Sequence, residues 1–194
     1  MVSPISCLSI LVIPLLFTSL FYQVSNACVN ATYRDRICKQ SNYYDLCTST
    51  FAADNRTSTA DLTGLLLISI SSNMKLLQTT IVNRIPNILK LLDDPLDKAR
   101  LQNCQTDFFH ALGKLSGAYV ASASKNYQEG KNLAMDAYLK NVECEKEYNT
   151  TAFASPIADV PEKSTGLIFI GNTILRWLRY TSWDPTTKIM YTWS

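Results

Sequence analysis

Glycine and proline are both scarce in this chain, with 6 glycines and 7 prolines among 194 residues. A β-sandwich has many turns and uses both residue types there, so this scarcity favours long uninterrupted elements, and helices in particular. Histidine is scarcer still: His110 is the single one, and no two cysteines have C-x-x-C spacing. These two absences argue against a zinc site, and the sequence predicts no metal.

An excess of charge of one sign is also missing. The chain has 18 Lys and Arg against 16 Asp and Glu, a formal net charge of +2, so a nucleic-acid partner is not expected. No G-x-S-x-G, H-E-x-x-H or glycine-rich phosphate loop occurs, and His110 lies beside the apolar stripe of a predicted helix. We interpret the following carboxylates as helix-end or solvated-face charges: Asp93, Asp94, Glu143, Glu145 and Glu147. The sequence therefore predicts a protein that is not an enzyme and needs no cofactor.

Charged side chains are absent from the first 33 residues. The run 5-ISCLSILVIPLLFTSLFY-22 is apolar with Pro14 in its middle, and 25-SNA-27 offers small residues at a cleavage site. We predict a signal peptide over 1–27, cleaved before Cys28, with an uncleaved membrane anchor as the alternative. The mature protein would then be secreted to the extracellular space, without stable membrane association. Its three sequons are candidate glycosylation sites, at Asn30, Asn55 and Asn149.

Apolar residues recur at steps of three and four in four long stretches, which predicts four long helices. The first is predicted to begin after an N-cap at Ser58 or Thr59 and to bend near Pro86. The second starts at the pair Asp94 and Pro95, the third at Tyr127, and the fourth covers 167–180, after a loop over 149–165.

Short loops join these helices, and two short helical stretches, 31–38 and 42–51, come before them. We predict an all-α fold: an up-down-up-down four-helix bundle preceded by a short helical hairpin. The domain would cover 28–180, with a divergent tail over 181–194.

Five cysteines remain after the predicted cleavage. Cys38 ends the first short stretch and Cys47 lies within the second, and two short helices folded back on each other would bring them within disulfide distance. Cys104 and Cys144 lie 21 residues before and 19 residues after the turn predicted near Lys125, so they are level on two antiparallel helices. We therefore predict two disulfides, Cys38–Cys47 and Cys104–Cys144. Cys28 is left as a free or externally paired thiol.

The cysteine intervals from 38 to 47, 47 to 104 and 104 to 144 resemble those of the plant invertase inhibitor and pectin methylesterase inhibitor family. The segments 43-YYDLCTSTFAAD-54 and 59-TADLTGL-65 resemble the same family. The similarity covers about residues 31–176 and is strongest to the invertase-inhibitor subgroup that includes plane-tree pollen allergens. The resemblance implies the same two disulfides and a secreted apoplastic inhibitor. It also implies that the inhibitor blocks the substrate cleft of a cell-wall carbohydrate enzyme, pectin methylesterase or acid invertase, in a one-to-one complex.

Two other functions stay open at this stage. The chain could be a non-inhibitory structural protein of the pollen-allergen type, or a helical carrier that binds a small ligand between its helices. Against a carrier, we interpret the aromatic residues of the stripes as core packing: Phe108, Tyr119, Tyr127 and Tyr138. The sequence does not predict which residues would contact a target enzyme.

Overall fold

The computed structural model describes residues 33–149 and 154–181. The predicted signal peptide, Cys28, Asn30 and the tail beyond residue 181 lie outside this range. The described residues form helices and turns with no strand, which confirms the prediction of an all-α fold.

A small helical hairpin comes first. Helix α1 covers 33–40 and α2 covers Tyr44–Ala52. A disulfide between Cys38 and Cys47 joins them, with a Cα–Cα distance of 5.4 Å. Both cysteines are fully buried. The bond is the one predicted, and it stabilises two helices that are too short to be stable in isolation.

Four long helices follow and form the bundle. They are α3 (Leu62–Leu89), α4 (Pro95–Ala123), α5 (Tyr127–Asn149) and α6 (Asp159–Thr181). By length and composition alone α3 could cross a membrane. Its apolar side chains, such as Leu66, Ile68 and Leu77, are instead buried in the core, as in any central helix of a bundle. The predicted up-down-up-down architecture is confirmed.

The helix starts show which polar residue acts as each cap. Asp94 accepts a hydrogen bond from the Leu96 N–H at 2.8 Å, as predicted for α4. For α3 the predicted cap at Ser58 or Thr59 is wrong. The cap is Asp61, whose carboxylate accepts from the Gly64 N–H at 2.7 Å. Ser58 instead ends a 3₁₀ turn over Asn55–Ser58.

The bend predicted near Pro86 takes the form of a π-helical turn over Thr80–Arg84 within α3. Proline has no N–H, and its ring would clash with the carbonyl four residues earlier in a regular α-helix. The wider turn relieves this clash, and the Ile85 N–H bonds to the Thr80 oxygen, five residues back. Gln105 Nε2 of α4 donates to the neighbouring Ile81 oxygen at 2.9 Å.

The start of α6 differs from the prediction. The stretch 149–165 was expected to be a loop, but Asn149 ends α5 and α6 begins at Asp159, eight residues before the predicted start. Pro161 lies in the first turn of α6, where its missing N–H disrupts no helical bond. Asp159 and Glu162 also favour a helix start there, because acidic groups interact well with the N-terminal dipole.

The turn predicted near Lys125 is present. Lys125 has φ of 61°, and the Asn126 N–H donates to the Ala121 oxygen at 2.9 Å. This pattern is a Schellman ending of α4. It reverses the chain within three residues and sets α4 and α5 side by side over most of their length.

Candidate functional site

The candidate catalytic residues of the sequence do not come together in the structure. His110 is exposed, and its nearest aromatic neighbour is Phe109, at 6.4 Å between ring centroids. Asp94 caps α4, and Glu143 forms an ion pair with Lys140. Within the described ranges, no group of three or more His, Cys, Asp or Glu side chains could hold a metal ion.

The interior is filled by side chains. The cavity between α3, α4, α5 and α6 has a volume of about 10 Å³, enough for one water and too small for an organic ligand. Its lining includes Asn73, Ser122 and Asn172, each with a buried oxygen that has no hydrogen-bond partner within the described ranges. The aromatic residue Phe108 is fully buried in the core, as predicted.

A layer of buried polar side chains fixes the relative positions of three helices. Ser69 Oγ of α3 donates to the Leu167 oxygen of α6 at 2.8 Å. Asn73 Nδ2 donates to the Ser164 oxygen at 3.0 Å, and Asn141 Nδ2 of α5 donates to Ser164 Oγ at 2.8 Å. A shift of one turn along any of these helices would break bonds that water cannot replace, so the layer sets a single register.

The hairpin is bound closely to α6. A β-carbon at Gly166 would lie 2.6 Å from a Leu46 methyl carbon and 2.9 Å from the Tyr43 ring, so a larger residue here would force Leu46 or Tyr43 to shift. The Tyr43 ring stacks on Phe169 with 6.2 Å between centroids. The outer surface of the hairpin is thereby held in one position on the bundle.

The second disulfide joins α4 to α5. Cys104 and Cys144 are buried, with a Cα–Cα distance of 4.5 Å. Next to it, burial raises the pKa of the Asp107 carboxyl, and the nearby Glu143 charge raises it further. Lys140 partly offsets this effect from 3.8 Å. Both disulfides of the structure are those that the sequence predicts.

Two of the predicted glycosylation sites fall within the described residues. Asn55 is exposed in the 3₁₀ turn, and Asn149 is exposed at the end of α5. Both positions are accessible, and glycosylation at either remains a prediction.

Two exposed apolar side chains, one on α3 and one on α4, lie near a hydrogen bond that joins these helices. Phe109 is 64% exposed and Val82 is 62% exposed, and both lie within about one helical turn of the bond between Gln105 and Ile81. We call these two residues the Phe109–Val82 patch. The sequence reading missed it, although one signal was present: Phe109 follows Phe108 and so falls outside the buried stripe of α4.

Comparison with known proteins shows which family has this arrangement. The family model described as plant invertase/pectin methylesterase inhibitor matches residues 32–168, which span the hairpin and most of the bundle. The chain belongs to this inhibitor family. Its members are inhibitors of pectin methylesterase or invertase and not enzymes, which confirms the prediction that the chain is not an enzyme. They are generally extracellular, and their partners are plant cell-wall enzymes.

Individual relatives agree with the family assignment. A curated protein named "Putative invertase inhibitor" from Platanus orientalis is 31% identical over 142 residues, which cover 71% of this chain and 82% of that protein. Among solved structures, a mutant form of a pectin methylesterase inhibitor from Arabidopsis matches with a TM-score of 0.62 and 17% identity, over 72% of this chain and 93% of that one. A second solved structure, of a pectin methylesterase inhibitor from Arabidopsis thaliana, matches with a TM-score of 0.56 and 16% identity, over 76% of this chain and 96% of that one. At these identities the structural matches establish the fold alone.

Proposed function

We propose that this protein is an extracellular inhibitor that binds one molecule of a cell-wall acid invertase or pectin methylesterase and blocks its substrate cleft. The family match over residues 32–168 carries this proposal. The name of the 31% identical relative makes acid invertase the first target to test.

The rigidity of the molecule supports a role as an inhibitor. A protein inhibitor that keeps one shape loses little conformational entropy on binding, so more of its contact energy appears as affinity. Two disulfides, the polar layer around Ser164 and the close contact at Gly166 all restrict motion here.

We further propose that the Phe109–Val82 patch contacts the target. Exposed aromatic side chains are frequent centres of binding energy in protein interfaces. Phe109 lies on a long helix that the Cys104–Cys144 disulfide holds to its neighbour, so the backbone that carries Phe109 is held in place before binding.

The test is a titration of the purified mature protein against acid invertase and, separately, against pectin methylesterase at mildly acidic pH. We expect one enzyme to lose activity with a 1:1 end point. Absence of inhibition of both enzymes at micromolar protein would overturn the proposed function.

The contact surface is tested with two matched variants. Phe109→Ala should weaken inhibition by at least about ten-fold, as expected for a central interface aromatic. Leu139→Ala, which truncates an exposed apolar side chain on α5, should change it less than about two-fold. If both variants inhibit equally and still in a 1:1 ratio, the Phe109–Val82 patch does not contact the target, and the proposed function still stands.

A further inference from the structure

An open groove of about 400 Å³ lies along α6, between the turn that joins α1 to α2 and the first part of α5. Its volume is within the range of pockets that bind small molecules. Its lining includes Gln40, Asn42, Lys131, Phe169, Arg176 and Arg179. None of the residues used for the proposed inhibitory contact belongs to it.

The charge of this groove is of one sign. Three of its lining residues are cationic and none is acidic. Lys131 is half-buried and forms no ion pair or hydrogen bond within the described ranges. Arg176 donates to a neutral partner, the Thr173 hydroxyl, at 3.3 Å. Lys131 and Arg176 both line the groove, and no acidic residue of the described ranges lines it, so these two cations create a positive potential there that favours an anionic ligand.

The other lining groups are suited to a sugar. Gln40 and Asn42 supply amide groups that can pair with hydroxyls. Gln40 Oε1 accepts a hydrogen bond from Trp177 Nε1 at 2.9 Å, which holds this amide in place and leaves its NH2 group to donate. The Phe169 ring is 38% exposed, stacks with Tyr43 at 6.2 Å and makes an edge contact with Tyr138 at 5.7 Å between ring centroids. A fixed aromatic surface beside amide groups matches a saccharide ring, which has an apolar C–H face and a polar edge.

We propose that this groove binds an acidic oligosaccharide, a short oligomer of uronic acid residues, with its carboxylates at Lys131 and Arg176. The planar guanidinium can bind both oxygens of one carboxylate, and the ammonium of Lys131 acts as a point charge. This binding activity is additional to enzyme inhibition and does not depend on which enzyme is the target.

The test is calorimetric titration of the mature protein with a hexamer of galacturonic acid at low salt. The double variant Lys131→Gln/Arg176→Gln should weaken binding at least about ten-fold, because two charge-assisted hydrogen-bond donors are lost. The control is Lys90→Gln/Lys146→Gln, which removes the same net charge from exposed positions outside the groove. It should weaken binding less than about three-fold.

Two further ligands test the chemical class. The fully methyl-esterified hexamer should bind much more weakly than the free acid, and so should a hexamer of glutamic acid. Phe169→Leu keeps an apolar side chain of similar length. It should lower the affinity for the acidic hexamer several-fold without lowering the midpoint of thermal unfolding by more than a few degrees.

Three results would overturn the assignment. An equal loss of affinity for the hexamer in the two double variants would mean non-specific attraction to a polyanion. Equally tight binding of the esterified hexamer would exclude carboxylate recognition, and equally tight binding of the glutamate peptide would exclude a saccharide site. Inhibition of the target enzyme by the Lys131→Gln/Arg176→Gln variant can be measured on the same preparation, so failure of this inference and failure of the proposed function are separable.

Discussion

Two glycines in the long helices differ in what surrounds them. A β-carbon at Gly130 of α5 would lie 2.4 Å from Ser122 Oγ and 3.2 Å from the Ala118 oxygen, whereas one at Gly113 of α4 would meet nothing within 4 Å. Both have negative φ, so neither requires glycine for its backbone conformation.

Gly130→Ala should therefore destabilise the fold by about 1–3 kcal/mol, because α4 and α5 must move apart or Ser122 must change rotamer. Gly113→Ala should stabilise it by about 0.5–1 kcal/mol through the lower entropy of the unfolded chain. Urea unfolding followed by circular dichroism measures both. A stabilising Gly130→Ala would show that the helices do not approach this closely.

One ion pair makes the free energy of unfolding depend on pH in the acidic range. The Arg84 guanidinium, with help from Lys163, lowers the pKa of Asp159 from its ordinary value to about 2. Because this pKa is lower in the folded chain than in the unfolded chain, the pair stabilises the fold above about pH 4 and loses that contribution as the pH falls toward 2.

We expect Asp159→Asn and Arg84→Gln each to flatten the decline of unfolding free energy between pH 4 and pH 2. Unfolding in urea at several pH values measures this slope. The pair is partly exposed, so its effect should be modest and should shrink in high salt. An unchanged slope in both variants would contradict a stabilising ion pair.

Single residues show where sequence reasoning stops. The stretch 54–61 contains several residues that can cap a helix, among them Ser58, Thr59 and Asp61. Local chemistry alone does not choose among them. The choice is made because residues 55–58 form a 3₁₀ turn. Phe108 and Phe109 are chemically identical, and only the helical period separates the buried one from the exposed one.

At the scale of elements, Pro86 and Gln105 form a coupled pair. The Ile85 N–H bonds to the Thr80 oxygen and Pro86 has no N–H, so the Ile81 oxygen lacks its usual donors within α3. Gln105 Nε2 supplies the missing hydrogen bond from α4. The side chain thus compensates for a proline on another helix.

Gln105→Ala should cost about 1–3 kcal/mol, since it leaves a partly buried carbonyl without a partner. In the presence of Pro86→Ala the same change should cost less, because residue 86 then has an N–H and the π turn can relax to a regular helix. A double-mutant cycle measures this coupling. Strict additivity of the two changes would contradict the compensation.

The lengths and order of the helices follow from the sequence more closely than their ends. Apolar periodicity predicts α3, α4 and α5. The predicted N-cap at Asp94 and the predicted turn at Lys125 are both confirmed. The start of α6 is missed because two prolines suggest a loop, yet Pro161 is compatible with a first helical turn. The contact that favours this start, between Arg84 and Asp159, joins residues 75 apart in sequence and has no local signal.

At the scale of the whole molecule, the two disulfides should contribute unequally. A bond that closes a loop of 40 residues, as between Cys104 and Cys144, reduces the entropy of the unfolded chain by an amount equivalent to about 4 kcal/mol. The bond between Cys38 and Cys47 closes 9 residues, which corresponds to about 3 kcal/mol.

Replacing Cys104 and Cys144 by alanine should therefore lower the unfolding free energy of the whole bundle. Replacing Cys38 and Cys47 should mainly loosen the hairpin, with faster amide hydrogen exchange in α1 and α2 and a smaller change in α4 and α5. Hydrogen exchange read by mass spectrometry separates these effects. Similar exchange rates throughout both variants would contradict a local role for the first bond.

The bundle and its cysteine pairing can be derived from the sequence because helix period and cysteine position are one-dimensional quantities. Surface features are different in kind. The groove that contains Lys131 and Arg176 unites residues 45 positions apart, and the Phe109–Val82 patch spans two helices. Such sites form only when the helices have packed, so no sequence motif predicts them.

The order of the four bonded cysteines along the chain also bears on biosynthesis. The first pairs with the second and the third with the fourth, so each bond can close as soon as its later cysteine is synthesised and meets an oxidant. No earlier bond among the four has to open for the native pattern to form. We therefore expect oxidative folding to proceed in the direction of synthesis and to depend little on a disulfide isomerase, in contrast to proteins whose pairings interleave.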